Sequence, residues 1–464
     1  MFELNPIVIL GVGIISVVIM IVVLRINAFL ALIVSAIAVS LLSPGVAAEK
    51  ITRVALAFGS TAGGIGIVIA MASIIGVCLI ESGAADRIVR SLVIRLGIKR
   101  VPAALMGSGF LLSMPVFFDT VFYLLVPLAR SLYRQVRSNY LLFVLAICTG
   151  GIVTHIMIPP TPGPLIMAAN LDINIGVMIA VGMLVAIPMS LVGLGASYVM
   201  NSVMAIPMRE LSIEHEEPLA EVEPEQLPGL FVSLLPIVLP VVLISSATIL
   251  SMLAKELDVS GNSALHTFAN ITAVIGNANF ALIVSAIFAM LLLKKQRSLS
   301  LMQLAEKVEK ALMNGGLIIL ITAAGGAFGK MLAVAGIGDA IQATVGDVSG
   351  RGVFMLFLSF GVAAVLKVAQ GSATVSMITT SAMIAATGVS SEQLGFNPVY
   401  LATVIGSGSI VGVWMNDSGF WIVSRMSGLT VVETLRSFSI LLAIIGVTGL
   451  ITTILLSQAL PLTE

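Results

Sequence analysis

The stretch LFVLAICTGGIVTHIMIPPTPGP, residues 142–164, joins a long apolar run to a break through which no helix can continue. Its first part, Leu142–Ile158, approaches the roughly 20 residues with which a helix crosses a bilayer. Four prolines then follow between Pro159 and Pro164, and proline removes a helical hydrogen bond and clashes with the preceding turn. This segment therefore predicts a membrane span that is interrupted near one end.

The composition of the whole chain supports the same interpretation. Of its 464 residues, 58% are hydrophobic and 10% are charged, and the mean hydropathy is +1.14, whereas soluble domains carry about 25% charged residues. A span in lipid must satisfy its backbone polar groups internally, and apolar runs that do not alternate with polar residues exclude a β-barrel. We predict an all-α polytopic membrane protein with further spans in Pro6–Val23, Ala28–Leu42, Ile173–Met200 and Ile440–Leu456.

Other features of the composition narrow the function. Residues 1–6 contain no basic side chain and the next apolar run follows closely, so we expect a retained first span rather than a signal peptide. The net charge of zero gives no indication of a nucleic-acid partner. Cys78 and Cys148 lie inside apolar runs and are interpreted as packing residues. We expect no disulfide, metal ion or cofactor.

An acidic segment divides the chain into two parts. Residues 206–229 contain seven glutamates and one arginine, and we predict a solvated linker between a first transmembrane repeat, residues 1–205, and a second, residues 230–464. Gly83-x-x-Asp86 in the first matches Gly336-x-x-Asp339 in the second. Residues 81–100 are rich in arginine and lysine whereas residues 338–351 are not, so the positive-inside rule predicts that the repeats are inverted. Two unrelated glycine-rich helices are the alternative.

Four polar interruptions break the apolar runs, two in each half. Binding sites of secondary transporters lie where helices are interrupted near the middle of the membrane. We therefore predict that the breaks at Pro159–Pro164 and Asn416–Phe420 approach one central cavity. The interruptions are Met114–Thr120, Thr154–Pro164, Lys367–Thr374 and Trp414–Phe420.

Ionisable and polar side chains in these breaks are the candidate functional groups. A charge at bilayer depth costs about 3 kcal/mol or more, so Asp119 and Asp417 are interpreted as functional, with helix capping as the alternative. His155 is either a functional group or an interhelical hydrogen-bond donor. Lys367 is expected to extend to the membrane surface, with a ligand counter-ion as the alternative. Gln370-Gly-Ser-Ala-Thr374 is interpreted as a half-helix N-terminus that suits a carboxylate, or as small-residue packing.

At these breaks the sequence resembles the gluconate permease family, the sugar-acid:proton symporters of bacterial inner membranes. The resemblance extends over nearly the whole chain. It implies a proton symporter that imports a small sugar acid or hydroxy acid such as gluconate, built from inverted repeats with re-entrant hairpins. It also implies a homodimer in which a scaffold supports a mobile transport domain. The motifs that carry it are Pro115-Val-Phe-Phe-Asp119, Thr154-His155 with Pro159-Pro-Thr-Pro-Gly-Pro164, Gln370-Gly-Ser-Ala-Thr374, and Gly406-Ser-Gly408 followed by Asn416-Asp-Ser-Gly-Phe-Trp421.

The same resemblance implies which residues bind the substrate. Thr161 stands where gluconate-type members have a histidine, which favours a smaller or differently hydroxylated acid than gluconate. As proton carrier we expect Asp119 first, Asp417 second and His155 third. The implied substrate-binding residues are Asp119, His155, Pro160, Thr161, Gly163, Gln370, Gly371, Ser372, Thr374, Asn416, Asp417 and Ser418.

Three other functions compete with proton symport. A sodium-coupled carboxylate transporter would hold its ion with backbone carbonyls at the Gln370–Ser372 and Asn416–Ser418 breaks. A membrane-embedded enzyme is disfavoured because the sequence has no His-Glu-x-x-His or Gly-x-Ser-x-Gly motif. A passive channel is disfavoured because no ring of like charges is evident.

Overall fold

A computed structural model gives the fold of most of the chain, and all of its described secondary structure is helical. Among the described residues no strand occurs, and two short π-helical turns extend or join α-helices. The residues that the structure describes are 5–97, 100–136, 138–204, 206–209, 227–256, 271–272, 274–336, 352–388, 390–415 and 417–463.

The first half of the chain forms nine described helices. A π-helical turn, Ile19–Val23, follows the first of them. The helices are α1 (Pro6–Val18), α2 (Ala28–Leu42), α3 (Glu49–Glu81), α4 (Ala84–Leu96), α5 (Val101–Leu112), α6 (Phe118–Val136), α7 (Tyr140–Met157), α8 (Pro162–Asn170) and α9 (Ile175–Met204).

The described part of the second half contains both long and short helices. A π-helical turn, Leu435–Ser439, joins its last two helices. The described helices are α10 (Leu230–Glu256), α11 (Ala278–Arg297), α12 (Leu301–Val334), α13 (Gly352–Gln370), α14 (Ala373–Ala385), α15 (Ser391–Leu394), α16 (Val399–Gly408), α17 (Ser418–Ser427), α18 (Val431–Thr434) and α19 (Ile440–Ala459).

Seven helical segments within the described part of the chain are long and apolar enough to cross a membrane. Large apolar side chains such as Val203 and Phe231, each 78% exposed, cover the outside of these helices and suit contact with lipid tails. The prediction of an all-α polytopic membrane protein is confirmed. The seven segments are Glu49–Glu81, Tyr140–Asn170, Ile175–Met204, Leu230–Leu250, Ala278–Arg297, Leu301–Val334 and Val431–Ala459.

All four predicted interruptions separate consecutive helices in the structure. They lie between α5 and α6, α7 and α8, α13 and α14, and α16 and α17. Two of the breaks turn on a glycine in the left-handed region, Gly371 (φ 79°) and Gly412 (φ 77°), which a residue without Cβ adopts at no steric cost. The break after α7 follows from its prolines, the second of which lies in a cis peptide bond with the first.

The two halves interlock through the helices that follow the breaks. Helix α6 of the first half contacts α17 of the second, and α8 of the first half contacts α14 of the second. The long helices α3 and α12 also pack against each other. Breaks from both halves therefore meet in one region of the protein.

Glycines allow the first pair of broken helices to pack at very short range. A Cβ on Gly150 of α7 would lie 1.9 Å from the carbonyl oxygen of Met106 on α5, and one on Gly109 would lie 3.0 Å from the backbone nitrogen of Gly151. No side chain fits at Gly150 unless the helices separate, because the obstacle is backbone. The Gly-Gly pair within residues 142–164 thus fixes the position of α7 relative to α5.

The end of α3 and the connection between α11 and α12 lie at the same end of the molecule, because residues on both sides of that connection contact Glu81. Arg297 donates a hydrogen bond from Nε to the carbonyl oxygen of Glu81 (2.8 Å), and Lys307 Nζ forms an ion pair with Glu81 Oε2 (3.0 Å). The loop at residues 338–351, on which the orientation argument depends, lies outside the described residues, as does most of the 206–229 linker. The inverted orientation of the repeats and the domain boundaries therefore stay predictions.

Candidate substrate site

A cavity of about 210 Å³ lies where the breaks between α5 and α6, between α13 and α14, and between α16 and α17 meet. Its walls come from both halves of the chain, and apolar side chains alternate with a small set of polar ones. The lining residues are Phe117, Phe118, Asp119, Ile152, His155, Ile156, Lys367, Gly371, Ser372, Ala373, Thr374, Ile410, Val413, Asp417, Ser418, Gly419, Phe438 and Leu442.

The N-termini of α6, α14 and α17 all border this cavity. Ser372 caps α14 by accepting a hydrogen bond from the backbone N–H of Val375 (3.3 Å), and Asp417 caps α17 by accepting one from Phe420 (3.0 Å). Helix N-termini carry partial positive charge and unpaired N–H groups, so they favour anions. Three of them around one small volume make the cavity suited to a carboxylate.

A buried ion pair lies in the wall of the cavity. The Lys367 ammonium group donates to Asp417 Oδ2 and to the carbonyl oxygen of Gly371, the latter at 2.8 Å. The side chain of Lys367 is only 2% exposed, and that of Asp417 is 13% exposed. The expectation that Lys367 extends to the membrane surface is wrong, because a counter-ion inside the protein holds its ammonium group.

Asp119 faces the same cavity without a comparable partner. Within the described residues, no hydrogen bond or ion pair to its carboxylate is formed. A Cβ on Gly419 would lie 2.9 Å from Asp417 Oδ1 and 3.7 Å from Asp119 Oδ1, so both carboxylates lie beside this one glycine. Asp417 repels the ionised Asp119 carboxylate and Lys367 attracts it. Among the described residues, Asp119 is thus the acidic group of the cavity that forms no hydrogen bond or ion pair.

His155 of α7 completes the ionisable groups in the cavity. Its ring packs edge-on against the ring of Phe117, with centroids 6.2 Å apart and an angle of 65°. The buried Nδ1 atom has no hydrogen-bond partner among the described residues. His155 therefore has unused hydrogen-bonding capacity next to the cavity.

The proline-rich break contributes to a different, much smaller cavity. Pro160 and Thr161 border a space of about 10 Å³ that they share with the α5–α6 break, and Phe117 lines both this space and the larger cavity. Thr161 Oγ1 donates to the carbonyl oxygen of Ile158 (2.6 Å), so its hydroxyl proton is already used. Gly163 packs against Met377 of α14, whose Cε would lie 2.1 Å from an added Cβ.

The structure thus brings only part of the expected site together. Asn416 and the side chain of Gln370 lie outside the described residues. The three residues of the proline-rich break, Pro160, Thr161 and Gly163, do not line the larger cavity. The residues that do are Asp119, His155, Gly371, Ser372, Thr374, Asp417 and Ser418.

Sequence reasoning did not place Lys367 or Phe117, which both line the cavity, among the substrate-binding residues. Lys367 was visible as a charge inside an apolar run, but its partner lies 50 positions further along the chain, and no local pattern connects them. Phe117 has the composition of an ordinary core aromatic, and its position between two cavities depends on how the breaks meet.

Comparisons with known proteins agree with this architecture. A family model described as GntP family permease matches residues 5–459. The gluconate permease of Bacillus licheniformis is 28% identical over 459 residues, which cover 97% of this chain and 99% of that protein. The inner membrane permease YgbN of Escherichia coli K12 is 29% identical, with coverage of 95% and 96%. The resemblance inferred from the four motifs is confirmed.

A solved transporter structure has a similar fold. The YdaH transporter of Alcanivorax borkumensis matches with a TM-score of 0.59, covering 94% of this chain and 98% of that chain at 16% sequence identity. At this identity the match supports the fold alone.

Proposed function

Because this chain belongs to the GntP family of permeases, a multi-pass inner-membrane family, we propose that it imports a small sugar acid or hydroxy acid together with a proton. Its relatives include proteins named gluconate permease, so gluconate-like acids are the first substrates to consider. The observation that carries the proposal is the convergence of Lys367 and three helix N-termini on one cavity. This arrangement favours a carboxylate over a neutral or cationic solute.

The remaining groups in the cavity suit the rest of such a molecule. Ser372, Thr374 and Ser418 offer hydroxyl groups beside the helix N-termini, and these can donate to or accept from the hydroxyls of a sugar acid. The volume of about 210 Å³ is below the range of about 300–1,000 Å³ that is usual for drug-sized ligands. We therefore favour a compact acid over a large conjugate.

The balance of charges favours a proton as the coupling ion. Lys367 and Asp417 neutralise each other, so an ionised Asp119 leaves the cavity with one net negative charge. A bound carboxylate would add a second negative charge in a poorly solvated place, where like charges repel strongly. A proton on Asp119 removes this repulsion and returns the cavity to its original charge.

The order of the candidate proton carriers rests on their partners. Asp119 comes first because the described residues leave its carboxylate unpaired. Asp417 comes second because its oxygens already accept from Lys367 and from the N-terminus of α17. His155 comes third because its ring is packed against Phe117. Protonation of Asp417 would weaken its ion pair with Lys367, and a protonated His155 would be repelled by the Lys367 ammonium group.

Two aspects of the architecture belong to the same proposal. Inverted repeats at residues 1–205 and 230–464 with re-entrant hairpins would give a site accessible from either side of the membrane. A homodimer would provide a fixed scaffold against which the transport domain moves. Both are supported by the resemblance to this family, and the interlocked pairs α6–α17 and α8–α14 are compatible with the first.

Transport by the purified protein in liposomes tests the proposal. A panel of C3–C6 hydroxy acids and sugar acids is offered as labelled substrates under an imposed pH gradient, and separately under a sodium gradient at equal pH. We expect accumulation of at least one acid that depends on the pH gradient and is indifferent to sodium. Accumulation that requires sodium would contradict proton coupling, and the absence of transport for every acid would contradict the substrate class.

A further inference from the structure

We propose that Lys367 binds the carboxylate of the transported acid directly, through the one N–H of its ammonium group for which the described residues provide no acceptor. This inference rests on the proposed function, since it assigns a receptor within the same site. An ammonium group has three N–H donors. Two of them are used, by the Gly371 carbonyl oxygen and by Asp417, and Lys367 lines the cavity.

The two existing contacts hold the ammonium group in position before any substrate arrives. Lysine has a long flexible stem, and a ligand that had to order it would lose affinity. Here Gly371, whose left-handed conformation ends α13, accepts a hydrogen bond from Nζ through its carbonyl oxygen, and Asp417 accepts a second one. Because two of its donors are fixed, the third N–H of Lys367 has a restricted direction, and one of the fixed acceptors, Gly371, directly precedes Ser372, the N-cap of α14.

A purely structural role for Lys367 is the competing explanation. In that case the lysine neutralises Asp417 and does nothing else. Removing Lys367 alone does not separate the two explanations, because an uncompensated buried carboxylate is destabilising in itself. A variant that removes both charges together does separate them, since it leaves no charge unpaired.

The decisive variant is therefore Lys367→Met combined with Asp417→Asn. Asparagine is as good an N-cap as aspartate, so α17 keeps its cap. In detergent, we expect this double variant to match the wild type in size-exclusion elution and in thermal unfolding. Its affinity for the transported acid should fall roughly 10- to 150-fold, which is the range for losing a hydrogen bond to a charged group. Wild-type affinity in a folded double variant would overturn the proposal.

Asp417→Asn alone gives an independent test if the double variant does not fold. It leaves Lys367 without its counter-ion, and a bound carboxylate would then supply the missing negative charge. We expect the acid to bind Asp417→Asn at least as tightly as it binds the wild type. We also expect the acid to raise the thermal midpoint of this variant by more than it raises that of the wild type. Weaker binding of the acid to this variant would overturn the proposal.

A matched control distinguishes the site from the general effect of removing a lysine. Lys330 lies on α12, is exposed and donates to Ser60 Oγ (2.9 Å), so Lys330→Met removes the same group outside the cavity. It should bind the acid like the wild type. If the wild type binds none of the acids, the proposed function itself fails; if the wild type and the double variant bind equally, only the role of Lys367 fails.

Discussion

Replacement of Asp119 by asparagine exchanges the titratable carboxylate in the cavity for a neutral amide and changes little else. The two side chains have nearly the same shape, and among the described residues no hydrogen bond depends on the Asp119 carboxylate. The variant should therefore fold and bind the acid. It should resemble a permanently protonated carrier, so the acid can cross in both directions but no proton accompanies it.

The size of the effect follows from the charges in the cavity. One anion and one proton together carry no net charge, so the membrane potential does not drive their entry and only the pH gradient does. Each pH unit corresponds to about 1.36 kcal/mol, which is a tenfold concentration ratio. At zero membrane potential the wild type should accumulate the acid about tenfold per pH unit, whereas Asp119→Asn, which would move the anion alone, should reach a ratio of about one.

Two measurements on the same liposomes check this expectation. Net accumulation under a pH gradient should disappear in Asp119→Asn, and counterflow of labelled against unlabelled acid at equal pH should persist, because exchange needs no net proton movement. Asp172→Asn is the matched control, since Asp172 is exposed in the turn after α8 at φ 53°, a conformation that asparagine also tolerates. Asp119 is not the coupling residue if its asparagine variant still concentrates the acid against a gradient.

Three further predictions test the packing, the cavity boundary and the topology. Gly150→Ala should lower the free energy of unfolding in detergent by about 1–3 kcal/mol or more, because its Cβ would lie 1.9 Å from the backbone of α5. Gly107→Ala on α5 is the control: its Cβ would meet nothing within 4 Å, so the thermal midpoint should stay unchanged or rise. Phe117→Ala should join the larger cavity to the small space beside the proline-rich break. The uptake of longer acids should then improve relative to that of shorter ones. An unchanged preference for acid length in a folded variant would contradict this role of Phe117. Single cysteines at positions 87 and 339 should be labelled from opposite sides of the membrane, and labelling from one side would rule out inverted repeats.

The positions of the breaks could be predicted from sequence because they depend on local chemistry. Prolines between Pro159 and Pro164 stop α7 wherever it lies. Gly371 and Ser372 end one helix and cap the next, as the interpretation of Gln370–Thr374 as a half-helix N-terminus required. Each of these properties belongs to a few neighbouring residues, and tertiary contacts did not alter them.

The membership of the cavity could not be predicted in the same way. Asp119 and Asp417 meet because α6 contacts α17, whereas Pro160 borders the smaller cavity beside the α5–α6 break. Those contacts depend on side-chain volumes and close glycine contacts spread over several helices. A sequence motif shows that a residue lies at a helix break, but it does not show which cavity that break borders.

The division of the cavity between the two halves of the chain has a mechanical consequence. Asp119 and His155 belong to the first half, whereas the Lys367–Asp417 pair belongs to the second. Any sliding or tilting of one half against the other would therefore change the distance between the Asp119 carboxylate and the Lys367–Asp417 ion pair. A movement that changes this distance would also change how strongly Asp119 binds a proton, because the charges of the ion pair act on its carboxylate. The movement of the two halves and the protonation of Asp119 would then depend on each other.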